Sequence, residues 1–197
     1  MRKDYEIILK LIPENSKVLD IGCSDGELIS YLENKGVSAQ GVELNQEKVI
    51  KCLEKGLDVI HGDINLIVED FPFNQFDYCL LTQTIQAVQK PEQLLNTLKK
   101  VSKNIIVSFN NSARLSKISN FLLSGSFDSL LKKADSDHWY NTDYIHPCSI
   151  KDFKKLAANL DLKIISTFDV INQRKFENGK IPSNLFCKEV LFHITDE

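Results

Sequence analysis

Seven short apolar runs, most of them separated by stretches of helical periodicity, predict an α/β protein: a seven-stranded, mostly parallel sheet with helices on both faces. Two observations carry the parallel sheet. The leading runs are nearly continuous in apolar character, as strands covered on both faces require. A glycine turn, Gly22-Cys23-Ser24-Asp25-Gly26, follows the first run, and an acid, Glu43, closes the second.

Residues 4–12 read as a helix with Tyr5, Ile8, Leu9 and Ile12 on one face, stopped by Pro13. Val18–Ile21 is the first strand. Leu28, Ile29 and Leu32 recur at helical spacing, and Gly36 ends that helix. Ala39–Leu44 is the second strand. Asn45 caps a helix carrying Val49, Ile50 and Leu53, closed by Gly56. Leu57–Ile60 and Phe76–Leu81 are the third and fourth strands. Pro91 opens a helix with Leu94, Leu95, Leu98 and Val101 inward. Asn104–Phe109 is the fifth strand. Ser149 and Asp152 form a capping box ahead of Phe153, Leu156, Ala157 and Leu160. Leu162–Ile165 and Val190–His193 complete the set, with the polar stretch Asn172–Ile181 as a loop between them.

The chain reads as a single domain over residues 1–197, with a long insert at about 110–148 on the ligand edge of the sheet. That insert holds a modest helical pattern (Leu115, Ile118, Leu122) and an aromatic cluster of Trp139, Tyr140 and Tyr144. A net charge of −3 argues against general nucleic-acid or anionic-membrane binding. The early run Ile7–Leu9 is broken by Lys10, too short for a secretory signal, and no stretch approaches membrane-spanning length. The cysteines, Cys23, Cys52, Cys79, Cys148 and Cys187, are odd in number and scattered. They read as reduced thiols in a cytoplasm, and no metal site is expected.

In an open α/β sheet a ligand sits beyond the carboxyl ends of the strands. Those ends name Asp20, Gly22, Cys23, Gly26, Glu43, Leu44, Asp63, Ile64 and Thr82 as the binding set. Gly22 and Gly26 allow a tight turn and a close backbone approach. Glu43, twenty-one residues after Gly22, is spaced to accept both hydroxyls of a ribose. Asp63 suits an adenine amino group. Cys23 reads as packing, not as a reactive thiol. Gln83 and Gln86 follow the fourth strand, where the reacting end of the ligand belongs. Asp20 and Asp25 would repel a pyrophosphate, and no Tyr-x-x-x-Lys pair is present, so a dinucleotide oxidoreductase is disfavoured. A ligand bearing an ammonium or sulfonium fits the same carboxylates.

Val18-Leu19-Asp20-Ile21-Gly22-Cys23-x-x-Gly26 resembles motif I of the class I S-adenosylmethionine-dependent methyltransferases, with Glu43 as the ribose acid and Asp63 the adenine-side acid. A closer resemblance covers most of the chain to about residue 170. Gly41-Val42-Glu43, Val59 to Asp63, Thr82 to Val88, Ile106 to Asn110, and Trp139 to Thr142 through Ile145 to Phe153 are similar to the bacterial methionine-biosynthesis family MetW. Ser24 stands where that family usually carries a glycine-like residue, and the lysine- and serine-rich stretch 112–134 departs from its pattern.

The resemblance implies a Rossmann-like methyltransferase fold, S-adenosylmethionine or S-adenosylhomocysteine as bound cofactor, and association with homoserine O-acyltransferase. It leaves two functions open. One is a cofactor-binding partner of the acyltransferase, with Trp139, Tyr140 and Tyr144 as its contact surface beside Gln83 and Gln86. The other is an active methyltransferase on a small molecule, with His138 or His146 as the candidate base.

Overall fold

The computed structural model describes residues 1–67, 71–127, 146–177 and 180–196. Its strands are β1 (Lys17–Ile21), β2 (Ser38–Glu43), β3 (Val59–His61), β4 (Phe76–Thr82), β5 (Ser102–Asn110), β6 (Lys163–Asp169), β7 (Arg174–Glu177) and β8 (Glu189–Thr195). They form one sheet in the order β3-β2-β1-β4-β5-β8-β6-β7. The first five are parallel, and β8 runs antiparallel between β5 and β6. Strand order reverses between β1 and β4, which is where such sheets hold ligands.

The sheet has eight strands, not seven. The additional one, β7, lies within Asn172–Ile181, read from the sequence as a loop. It pairs only with β6, and three of its four residues are exposed. An edge strand wet on both faces has no apolar alternation to display, and its charges, Arg174, Lys175 and Glu177, suit an edge that must not pair further.

The helices are α1 (Lys3–Leu11), α2 (Glu27–Asn34), α3 (Gln46–Glu54), α4 (Ile64–Ile67), α5 (Pro91–Val101), α6 (Leu115–Ser124) and α7 (Ile150–Asn159) among the described residues. Local chemistry sets their ends. The Asn45 side chain accepts from the Lys48 amide, and the Ser149–Asp152 capping box closes in both directions. All four apolar residues assigned to the inner face of α5 are buried. Helix α3 differs from its pattern: Val49 and Cys52 face the core, while Ile50 and Leu53 are exposed. None of the described helices is long and apolar enough to cross a membrane.

Two apolar layers cover the sheet. One contains Leu19, Ile21, Cys79, Leu81, Val107 and Phe109, against which α5 and α7 pack; Phe109, Phe153 and Phe192 form its aromatic centre, with rings 4.7–6.0 Å apart. The other contains Val18, Leu80, Ile106 and Leu191 beneath α1 and α2. Strand residues alternate between the faces. Asp20 and Ser108 share parity with Val18 and Ile106, so they belong to the α1 side. That places two polar groups beneath the inward face of α1, where Tyr5, Ile7 and Ile8 are buried.

Candidate functional site

The loop after β1 is held by its own backbone. The Gly22 and Cys23 amides both donate to the Val42 carbonyl, at 2.8 and 3.2 Å. Gly22, Ser24 and Gly26 have φ of 73°, 55° and 76°. This left-handed region favours glycine, so Ser24, the departure from the family pattern, occupies a position that suits the usual residue better. A Cβ on Gly22 would lie 2.7 Å from Thr84 Oγ1, and one on Gly26 would lie 2.3 Å from Leu57 Cδ1. The space beside both glycines is therefore filled by protein. Their first duty is packing the turn against its neighbours. Cys23 is buried, and burial raises its thiol well above the ordinary range, so it stays neutral.

Glu43 ends β2 beside that loop. Its carboxylate accepts from the Ser24 amide (2.9 Å, Oε2) and the Asn45 amide (2.8 Å, Oε1). Two fixed donors orient the group and leave lone pairs on both oxygens for further donors. Leu44 is 65% exposed beside it, and a ring nitrogen of His61 lies 3.0 Å from the Leu44 carbonyl oxygen. Asp63 is half-buried at the start of α4, and Ile64 is buried behind it. The pairings Asp20 to Gly41 and Glu43 to His61 bring the three carboxylate-bearing ends side by side.

Asp20 is the anomaly. Its residue is 1% exposed, and its Oδ1 has no hydrogen-bond partner. Burial pushes its carboxyl up to about 7; Asp4 and Glu43 add to this, and Arg2 opposes it. A buried acceptor without a donor is destabilising by about 1–3 kcal/mol until a donor arrives.

A second polar group, not identified in the sequence, adjoins it. Asp4 of α1 is 1% exposed. Its carboxylate accepts from Ser108 Oγ (2.9 Å), the Tyr5 amide (3.1 Å) and Arg2 Nε (3.1 Å). The Arg2 guanidinium lies over the Tyr5 ring, 4.5 Å from its centre. A carboxylate one turn before Ile8 on an apolar helical stripe was a readable signal for Asp4. Glu189 gave none, because its position depends on β8 inserting beside β5.

Thr82 is buried at the end of β4. Gln83 follows with φ of 61°. Its side chain donates to Glu189 (2.8 Å) and accepts from Asn110 Nδ2 (2.9 Å). Burial raises the Glu189 carboxyl above its ordinary range, and Asp4 adds to this. Gln86 is buried, with Oε1 unpartnered and Nε2 3.4 Å from Ser112 Oγ. His146 is exposed; its amide donates to the Gln86 carbonyl, and its Nε2 lies 3.1 Å from the Gln89 carbonyl oxygen. His138, Trp139, Tyr140 and Tyr144 lie outside the described residues. The five cysteines are free thiols. Among the described residues no group of three or more His, Cys, Asp or Glu side chains could hold a metal ion.

Comparison with known proteins agrees with this architecture. Solved methyltransferase structures superpose along nearly the whole chain. That of an S-adenosylmethionine-dependent methyltransferase from Methanosarcina mazei gives a TM-score of 0.70 at 15% identity, covering 96% of both chains. One from Mesorhizobium loti gives 0.70 at 12% identity, covering 98% of this chain and 97% of that one. The [4+2]-cyclase SpnF also shares the fold, at TM-score 0.65 and 16% identity over 87% of this chain and 61% of that one. The fold therefore hosts chemistry other than methyl transfer. A curated relative from Rhodopirellula baltica, the bifunctional methionine biosynthesis protein MetXA/MetW, is 31% identical over 202 residues. The match takes in 96% of this chain and 32% of that protein, so the chain spans about a third of the relative's length. The family model for the methionine biosynthesis protein MetW matches residues 2–194. The chain belongs to the family of the methionine biosynthesis protein MetW, on a Rossmann-like fold shared with solved methyltransferase structures.

Proposed function

We propose that this chain binds S-adenosylmethionine or S-adenosylhomocysteine across the ends of β1, β2 and β3, and acts in methionine biosynthesis as a partner of homoserine O-acyltransferase. The single observation that carries the cofactor reading is the orphaned Oδ1 of Asp20. It is a carboxyl acceptor, buried and undonated, near the end of β1 beside the turn where the amino-acid end of such a cofactor would lie. The residues present fit that group. Asp20 takes the ammonium, Glu43 the two ribose hydroxyls and Asp63 the adenine amino group, with Gly22, Cys23 and Gly26 shaping the floor. Leu44 and Ile64 flank the base, and Thr82 faces the reacting end. When bound, S-adenosylmethionine supplies a methyl group on a sulfonium.

The partner reading rests on the R. baltica relative, whose one chain carries both a MetXA and a MetW part. We take MetXA to be the acyltransferase. The free thiols, four of the five buried, fit action in a reducing cytoplasm.

Calorimetry with S-adenosylhomocysteine tests the site. Glu43→Ala removes a charged acceptor of two hydroxyl donors and is expected to weaken binding about 100-fold, each such bond contributing about 1.5 kcal/mol. Equal affinity in the two proteins rejects the assignment.

A second reading, active methyl transfer to a small molecule, is favoured by Gln83. A non-glycine residue held at φ 61° beside Glu189 and Asn110 is the kind of fixed polar group that orients an acceptor. His138 and His146 are its candidate bases. Transfer of labelled methyl that persists in His138→Ala and His146→Ala proteins excludes both.

A further inference from the structure

Helix α6 is inside out. Of its ten residues only Lys117 is buried, at 6% exposure, while Leu115, Leu122 and Leu123 are 47%, 75% and 87% exposed. Leu122 and Leu123 stand seven and eight positions after Leu115, so all three share one helical face. An ordinary surface helix does the reverse, burying its leucines and extending its lysine into water. Arg114, just before the helix, adds a half-buried cation whose Nε is buried and unpartnered.

The exposed face continues beyond the helix. The Leu115 amide donates to the Leu185 carbonyl at 2.7 Å, joining α6 to the loop ahead of β8. In that loop Leu185 and Phe186 are 43% and 75% exposed. Phe127, 61% exposed, packs against Phe121 with ring centres 5.1 Å apart and planes tilted by 51°. The helix, Leu-Ser-Lys-Ile-Ser-Asn-Phe-Leu-Leu-Ser, has no acid, and its one cation is turned inward. Its outward side is leucine edged by serine and asparagine. An apolar centre with a neutral polar rim is the composition of a protein–protein interface core, and isolated surface leucines do not produce it.

We infer that the outward face of α6, with Leu185 and Phe186, is the surface on which this protein docks homoserine O-acyltransferase. The choice of occupant rests on the partner reading proposed above, and on the relative in which the two parts share one chain and so work at close quarters. With no charge on this face, the acyltransferase must present an apolar patch of its own. Association through it is insensitive to salt, because no long-range charge pairing steers it. None of its residues belongs to the cofactor-binding set proposed above.

The test co-expresses the full chain with the homoserine O-acyltransferase of the same genome and measures capture and affinity. Wild type is compared with the double variant Leu122→Ser/Leu123→Ser and with Leu53→Ser, an exposed leucine on α3. The double variant is expected to lose at least tenfold in affinity, as removal of two central apolar anchors does, with Leu53→Ser unchanged. Unchanged S-adenosylhomocysteine binding and melting temperature show that the fold is intact. If the double variant binds the acyltransferase as wild type does, the surface is wrong and the partnership stands. If wild type shows no binding, the partner reading falls and this inference falls with it. A wild-type homodimer that the double substitution dissociates gives the face to a second copy and also overturns the inference.

Discussion

The loop after β1 and the helix after β5 leave the carboxyl edge of the same sheet, yet they sort their groups in opposite senses. The loop is finished. Its Gly22, Cys23, Ser24 and Gly26 amides are paired, its glycines are packed against Thr84, Leu57 and Cys52, and Glu43 is aimed by two backbone donors. Beside it, near the end of β1, the buried Asp20 Oδ1 is left without a donor. Helix α6 is unfinished, with its lysine inside and its leucines outside. A pocket that takes a small polar ligand needs all but a few of its polar atoms satisfied beforehand, so that the ligand satisfies the rest. A surface that takes a protein leaves apolar area uncovered instead. The contrast is what the two proposals, a ligand site and a docking face, have to explain.

The largest expected effect breaks the finished side. Gly26→Ala places a Cβ against Leu57 and Cys52 at a φ of 76°, combining overlap with backbone strain. It is expected to destabilise folding by about 3 kcal/mol, read as a lowered urea midpoint. A loss below about 1 kcal/mol means that the turn is adaptable and not prebuilt.

Asp20 gives a smaller effect that depends on pH. Its carboxyl has an ordinary value near 3.8 and is raised to about 7 in the folded chain, chiefly by burial. The folded state therefore holds this proton more tightly than the unfolded state. The native protein loses stability as pH climbs from the ordinary carboxyl range to about 7, and the loss is complete above that. Asp20→Asn removes this dependence. Its stability relative to wild type is expected to rise by about 2 kcal/mol between pH 5 and pH 7 and then level off. A difference that is flat across that window shows that Asp20 is ionised throughout, with a partner other than Arg2.

The smallest effect tests the unfinished side. Leu123→Ser, at a position 87% exposed, is expected to change the stability of the free protein by less than about 0.5 kcal/mol. A loss above about 2 kcal/mol marks Leu123 as a core residue and removes the contrast.

Much of the fold was legible because local chemistry and burial agreed. Leu94, Leu95, Leu98 and Val101 are buried at the spacing their pattern predicted, and Asn45 and Ser149 cap the helices they precede. Legibility failed where tertiary pairing overrode local pattern. Strand β7 is a strand because β6 offers it an edge. Ile50 and Leu53 match a helical stripe, but Cys52 takes the inward position.

The sequence by itself determined the parallel strands β1 to β5, the glycine turn and the acid that ends β2. Near-continuous apolar runs, φ-positive positions and helix caps are properties of short segments, readable without knowing what lies across the sheet. Only the tertiary structure decided that Asp4 and Ser108 meet beside Asp20, that Glu189 reaches Gln83, and that α6 faces outward with its leucines. Each depends on groups far apart in the chain, 104 residues for Asp4 and Ser108 and 106 for Gln83 and Glu189. Burial, which raises the Asp20 carboxyl, exists only once the surrounding elements have closed over it.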